Sequence, residues 1–252
     1  MDLDLAVLLA GAFAAAFVTG VAGFAFGLVA LSFWVWRYPI PELATLVVFG
    51  SLIAQSMAIP SQWRRVEWPV LAPMLVGAAF GLPIGTWLIA RVDLATFRLS
   101  IGIVIAAFAT FQLLAGGRLR VARAGKPADI AVGWASGVLG GLVGLCGVLP
   151  AVWGVLRGWT RERQRALFTM FNSFCHAVAL AGLVVAGHID ATLAWRCAAM
   201  VPVLVVGAWI GAHAYRYVSP AGFRTLVLGL LLASGVALTF QALAGLAGVW
   251  TR

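Results

Sequence analysis

The chain has 252 residues, of which 63% are hydrophobic and only 10% charged, with a mean hydropathy of +1.04. That composition excludes a water-soluble domain and makes lipid the solvent. The net charge of +9 would suggest nucleic acid for a soluble protein, but here the basic residues sit between apolar runs, a pattern that signals topology and anionic headgroups and no nucleic-acid partner.

A transmembrane helix needs roughly 20 apolar residues to cross a hydrocarbon core of about 30 Å, so a chain of this length holds about eight such segments and no separate soluble domain. The apolar stretches cover residues 3–36, 43–60, 68–90, 94–115, 130–155, 166–187, 193–215 and 223–250. All are expected to be helices, because unpaired backbone is too costly in lipid. The first follows Asp2 and Asp4 with no basic stretch before it, which reads as part of the mature chain rather than a cleaved leader. Cys146, Cys175 and Cys197 lie inside apolar stretches and read as small hydrophobes, not as disulfide or metal residues.

The longest polar connector, 117–127, carries Arg118, Arg120, Arg123 and Lys126 and separates an N-terminal repeat, 1–116, from a C-terminal repeat, 128–252. Gly81, Gly85, Phe97 and Arg98 recur at a constant offset as Gly207, Gly211, Phe223 and Arg224. Gly20 and Gly23 match Gly141 and Gly144, and the same spacing sets Ser51 against Asn172 and Gln55 against His176.

Two topologies compete. If every stretch crosses once, the 17 Lys and Arg residues divide 8 against 9 between the two sides, with no bias. As one straight helix, however, residues 3–36 would span about 51 Å. If the first and fifth stretches instead turn back as hairpins, Arg64, Arg65, Arg118, Arg120, Arg123, Lys126, Arg157, Arg161, Arg163, Arg165, Arg216 and Arg224 share a face, 12 against 5. Cytoplasmic loops collect positive charge, so the hairpin arrangement is adopted. It puts both termini outside, makes 117–127 a cytoplasmic connector and turns the duplication into an inverted repeat suited to alternating access.

Glycines cluster where the hairpins would turn: Gly20, Gly23 and Gly27 in the first, Gly141, Gly144 and Gly147 in the second, with Pro150 placed for a first helical turn. Each returning half-helix would aim its amino terminus at mid-membrane, where free N–H groups and a partial positive charge favour an anion. Close helix packing explains such glycines equally well one at a time.

In the sixth stretch Arg165, Thr169, Asn172 and His176 line one helix face, bordered by Ser173. Eleven residues at 1.5 Å each carry His176 about 16 Å from the basic edge, near mid-membrane. Ser51 and Gln55 are the polar counterparts in the second stretch, and the two faces would line one cavity. Interhelical hydrogen bonding is the plainer role for Asn172, Ser173 and Gln55, whereas an ionisable residue at the depth of His176 is a functional candidate, as ligand or as a proton-coupling group. Asp2, Asp4, Glu42, Glu67, Asp93, Asp129, Glu162 and Asp190 all lie at segment ends or in connectors. Without a carboxylate in mid-membrane, and with Arg165 to attract charge at a cytoplasmic mouth, the expected substrate is a small anion. A passive channel or permease for a neutral solute is the alternative. There is no HExxH, P-loop or GxSxG motif, so neither an enzyme nor ATP-driven pumping within the chain is expected, nor a metal or other cofactor. The partners expected are the anion and the bilayer, with a homodimer left open.

The run from Thr19 to Leu31, the connector from Gln62 to Trp68, the segment Gly77-Ala-Ala-Phe-Gly-Leu-Pro-Ile-Gly and the segment Gly141-Leu-Val-Gly-Leu-Cys-Gly resemble the sulfite exporter (TauE/SafE) family, and the likeness extends over nearly the whole chain. The resemblance implies a bacterial inner-membrane carrier with two related halves, exporting or taking up sulfite, sulfonates or related small organic anions. Drive by protons or membrane potential, and not by ATP, is the expectation for such a secondary carrier. Arg165 matches a basic position common in the family at the start of this helix. Ala25 stands where a glycine is usual, Ser32 where a proline is usual, and Val148-Leu149 where a Gly-Pro-Pro turn is common, with Pro150 two residues on.

Overall fold

A computed structural model describes residues 3–34, 37–88, 94–114, 120–121, 124–143, 145–185, 187 and 189–246. The described residues form helices and no strand. In chain order these are α1 (Leu3–Ala22), α2 (Phe26–Trp34), α3 (Ile40–Ser56), α4 (Ile59–Gln62), α5 (Trp68–Leu88), α6 (Leu94–Leu114), α7 (Lys126–Val143), α8 (Val148–Leu156), α9 (Arg161–Val185), α10 (Ala191–Ala214) and α11 (Pro220–Leu246). Helix starts follow local chemistry. Asp190 Oδ1 accepts from Leu193 N at 2.7 Å to cap α10, and Ser219 Oγ accepts from Gly222 N at 3.0 Å beside Pro220 at the start of α11.

Five helices, α1, α5, α9, α10 with its terminal turn, and α11, are long and apolar enough to cross a membrane. A sixth span results if α3 and the segment after it, bent by 50°, count as one. Eight spans are therefore not established among the described residues; α2 and α8, of nine residues each, reach only about 13 Å and do not cross by themselves. The outer surface is apolar, with Phe80 67%, Trp209 56% and Phe240 60% exposed, as a lipid-facing surface requires.

Neither the first nor the fifth apolar stretch is a continuous rod. α1 stops at Ala22, Gly23 and Ala25 take positive φ of 82° and 76°, and α2 runs back along α1. Trp34 Nε1 at the end of α2 donates to Leu8 O at 3.2 Å, and Tyr38 Oη donates to Asp4 O at 2.9 Å. Arg37 pairs with Asp4 at 2.7 Å. The chain therefore leaves the hairpin at the end where it entered. The second half repeats this geometry: Trp153 Nε1 on α8 donates to Asp129 Oδ1 at 2.9 Å, and Arg157 donates to Ala124 O at 3.1 Å.

Alanine in the left-handed region costs about 1 kcal/mol through its Cβ. Ala25→Gly is therefore expected to raise stability by about 1 kcal/mol, seen as a melting temperature about 2–4 °C higher in detergent.

The two hairpins open at opposite ends of the helices. Glu42 at the start of α3 pairs with Arg196 at the start of α10, joining Asp4 and Arg37 at one end. At the far end of α10, Tyr215 lies under Arg161, whose guanidinium carbon is 5.1 Å from the ring centroid, and Arg161 donates to Val218 O. Arg163 pairs there with Glu67 at 2.8 Å. This second end gathers the junctions at Arg64, Arg65, Arg157, Arg216 and Arg224.

Helix packing follows small residues. α1 packs on α10, α5 on α7, and α6 on α11. Added side-chain carbons at Gly77, Gly81 and Gly85 would run into the α7 backbone, and at Gly133, Gly137 and Gly141 into α5, so these backbones touch without intervening side chains. Gly20 plays the same part between α1 and α10, where a Cβ would sit 2.5 Å from Ala208 O. α3 packs on α9 at the centre, and that contact holds the polar residues.

Candidate functional site

A small cavity of about 40 Å³ lies between the two helix breaks. On the measure by which one water needs roughly 10–15 Å³, it has room for a few non-hydrogen atoms. Phe24 to Leu28 of the first break form one wall and Leu145 to Val148 of the second the other. Ser51 and Gln55 on α3, Asn172 and His176 on α9, and Ser234 on α11 complete it. Phe24 packs edge-on to Phe168 with centroids 5.3 Å apart, tying the first turn to α9. Gly147 lies against the Asn172 amide, where a Cβ would come within 2.9 Å of Oδ1 and displace that side chain.

The stripe on α9 is buried along its whole length: Arg165, Thr169, Asn172 and His176 are all less than 9% exposed. Ser51 Oγ, both amide atoms of Asn172 and Ser234 Oγ are buried without a hydrogen-bond partner in the protein. Leaving such a group unpaired costs about 1–3 kcal/mol, so the cavity is built for a polar occupant. His176 Nε2 lies 3.8 Å from Cys146 Sγ. Gln55 Oε1 lies 3.3 Å from Ser173 Oγ, which also bonds Thr169 O at 2.7 Å. Among the described residues no Lys, Arg, Asp or Glu lines the cavity, and no three His, Cys, Asp or Glu side chains are grouped to hold a metal ion.

Of the residues singled out from the sequence, Gly27, Ser51, Gln55, Gly147, Asn172 and His176 come together in this lining. Ser173 stands behind Gln55. Gly20 serves the α1–α10 contact, and Gly23 forms the turn, where a Cβ would press on Arg165 O at 3.0 Å. Gly144 lies outside the described residues. Arg165 is not at an open mouth: it is 4% exposed, donates to Gly20 O at 2.6 Å, and sits 4.3 Å from the Tyr215 ring centroid. The unmatched carbonyls at the end of α1 draw it in, a partial negative charge meeting a buried cation. Sequence reasoning missed Cys146 and Ser234 as lining residues. Cys146 was detectable as the one polarisable residue among the second glycine cluster; nothing in the sequence marks Ser234.

The chain matches the family described as Sulfite exporter TauE/SafE over residues 7–238. It is 29% identical over 203 residues, 77% of this chain and 81% of the relative, to a Comamonas testosteroni protein named "Probable inner membrane transporter protein TsaS". It is 26% identical over 219 residues, 81% of each chain, to a Cupriavidus necator protein named "Probable sulfite/organosulfonate exporter TauE". No solved structure matches the chain.

Proposed function

Because the chain belongs to the sulfite exporter TauE/SafE family, it is a membrane transporter and not an enzyme, and we propose that it carries a small sulfur-containing anion by alternating access. The observation that carries this reading is the cavity itself, where the amino ends of two half-helices meet buried, unpartnered polar side chains. Helix amino termini bind anions through free N–H groups and the dipole. A site at the midpoint of crossed, broken helices is the arrangement of many secondary carriers.

Alternating access draws support from the order of the elements. Each half runs as a long helix, a nine-residue helix and three further helical spans. Exchanging the halves turns the α1–α10 packing into α7–α5, leaves α6–α11 and α3–α9 in place, and swaps the end at which the hairpin opens. Two such states can present one cavity to either side. Proton or membrane-potential coupling is proposed with it.

The basic end faces the cytoplasm on this reading, with both termini outside a bacterial inner membrane. Single cysteines introduced in place of Arg37 and Arg157, in a cysteine-free background, are expected to react with an impermeant reagent from opposite sides. Labelling of both from the same side would overturn the topology.

The function is tested in proteoliposomes loaded with sulfite or methanesulfonate. Saturable uptake of the labelled anion, accelerated by unlabelled anion on the far side, is the expected result. Flux that rises linearly without counterflow would identify a passive channel instead.

A further inference from the structure

The cavity resembles an oxyanion site in its donors, but among the described residues no Lys or Arg lines it. That bears on the charge of what it can hold. A helix amino terminus acts as roughly half an elementary positive charge, and two of them, at the starts of α2 and α8, give about one. Both are nine-residue helices, and their first residues, Phe26 to Leu28 and Val148, are in the wall. The N-cap position of α8, Gly147, makes no side-chain bond, so the first amides of that helix have neither an intrahelical acceptor nor a cap.

The carbonyl ends of the entering helices stop two residues short of the wall, α1 at Ala22 before Phe24 and α7 at Val143 before Leu145, and bring no positive charge to it. Arg165 is committed to the carbonyl end of α1 through Gly20 O and offsets that end. The remaining donors, Ser51, Asn172 and Ser234, are neutral and buried, with exposures of 0%, 2% and 3%. Neutral dipoles orient oxygen atoms, whereas a second full charge removed from water carries a further effective penalty of several kcal/mol that these three donors must meet alone.

We infer that the cavity takes its oxyanion as a singly charged species, a hydrogensulfite or an alkylsulfonate, and rejects dianions such as sulfate and fully deprotonated sulfite. This rests on the anion reading proposed above and narrows it to one charge class. Sulfate and methanesulfonate have the same tetrahedral outline, one oxygen of the first being a methyl in the second. They therefore differ mainly in charge, and size does not separate them.

The test is equilibrium binding to the purified protein in detergent, followed by calorimetry or intrinsic tryptophan fluorescence, with methanesulfonate, sulfate and sulfite as probes across neutral pH. Methanesulfonate is expected to bind at least about tenfold more tightly than sulfate. Sulfite is expected to weaken as pH rises and its dianion replaces hydrogensulfite, while methanesulfonate stays constant within about threefold.

That constancy is the control for the protein's own titratable groups facing the site, His176 on α9, Cys146 in the second break and Cys175 behind it. Sulfate binding as tightly as methanesulfonate would overturn the charge inference and leave the anion site standing. A pH dependence of methanesulfonate as steep as that of sulfite would also overturn it, by assigning the effect to the protein. Binding of none of the three anions to folded protein would remove the anion reading and this inference together.

Discussion

Asn172→Asp is expected to abolish anion binding while the protein stays folded. The side chain is 2% exposed, both amide atoms lack a partner, and the residue lines the cavity. Aspartate has the same shape, so packing against Gly147 is unchanged. It brings a carboxylate to within about 4 Å of any bound anion, and at an effective dielectric of 20 two like charges at that distance repel by about 4 kcal/mol. The affinity should fall by about a thousandfold.

The new carboxylate can relieve the strain by taking up a proton, since burial disfavours its charged form. Binding should therefore recover as pH is lowered, whereas Asn172→Ala, with no charge to titrate, should show no such recovery. The measurements are anion-induced thermal shift and counterflow, with size-exclusion elution as the check on folding. Wild-type affinity in Asn172→Asp at neutral pH would mean that the anion does not bind in this cavity.

Gly81→Leu is expected to prevent stable folding. A Cβ at Gly81 would lie against Trp134 O and 2.9 Å from Val138 N, both of them α7 backbone. Overpacking a core costs about 1–3 kcal/mol when side chains can shift, and here the obstacle is a helix backbone. Separating α5 from α7 would also disturb their contacts along Gly77, Gly85, Gly133, Gly137 and Gly141. A loss of 3 kcal/mol or more corresponds to a melting temperature lower by about 6–12 °C for a domain of this size. The expected readout is little monodisperse protein after extraction. Gly182→Ala is the matched control: nothing lies within 4 Å of the carbon it would add, and it should behave as wild type. Equal stability of the two variants would show that α5 and α7 are not in close contact.

The consequence for the transporter is mechanical. The α5–α7 and α1–α10 contacts are too close to slide without lifting glycine backbones apart. On the proposed alternating access, movement between the two states would rotate these pairs as bodies about the α3–α9 contact, where side chains and not glycines meet. The Gln55–Ser173 bond at 3.3 Å crosses that contact.

Composition and local patterning set the solvent, the helical class and the places where helices stop. Lipid forbids unpaired backbone, and 63% hydrophobic residues leave no other solvent. Gly23, Asp190 and Ser219 with Pro220 act on their own neighbours, so the breaks and caps they make are local and legible. The face shared by Arg165, Asn172 and His176 was likewise readable, because a helix repeats every 3.6 residues whatever surrounds it.

Tertiary structure alone decided which polar residues meet. Ser234 joins Ser51 and Asn172 across three helices with no spacing to announce it. Arg165 turned from the expected aqueous mouth to the carbonyl end of α1, 145 residues away in the chain. Periodicity gives the direction in which a side chain leaves its own helix. The partner it finds depends on how closely the glycine-lined backbones pack, a distance that no single segment encodes.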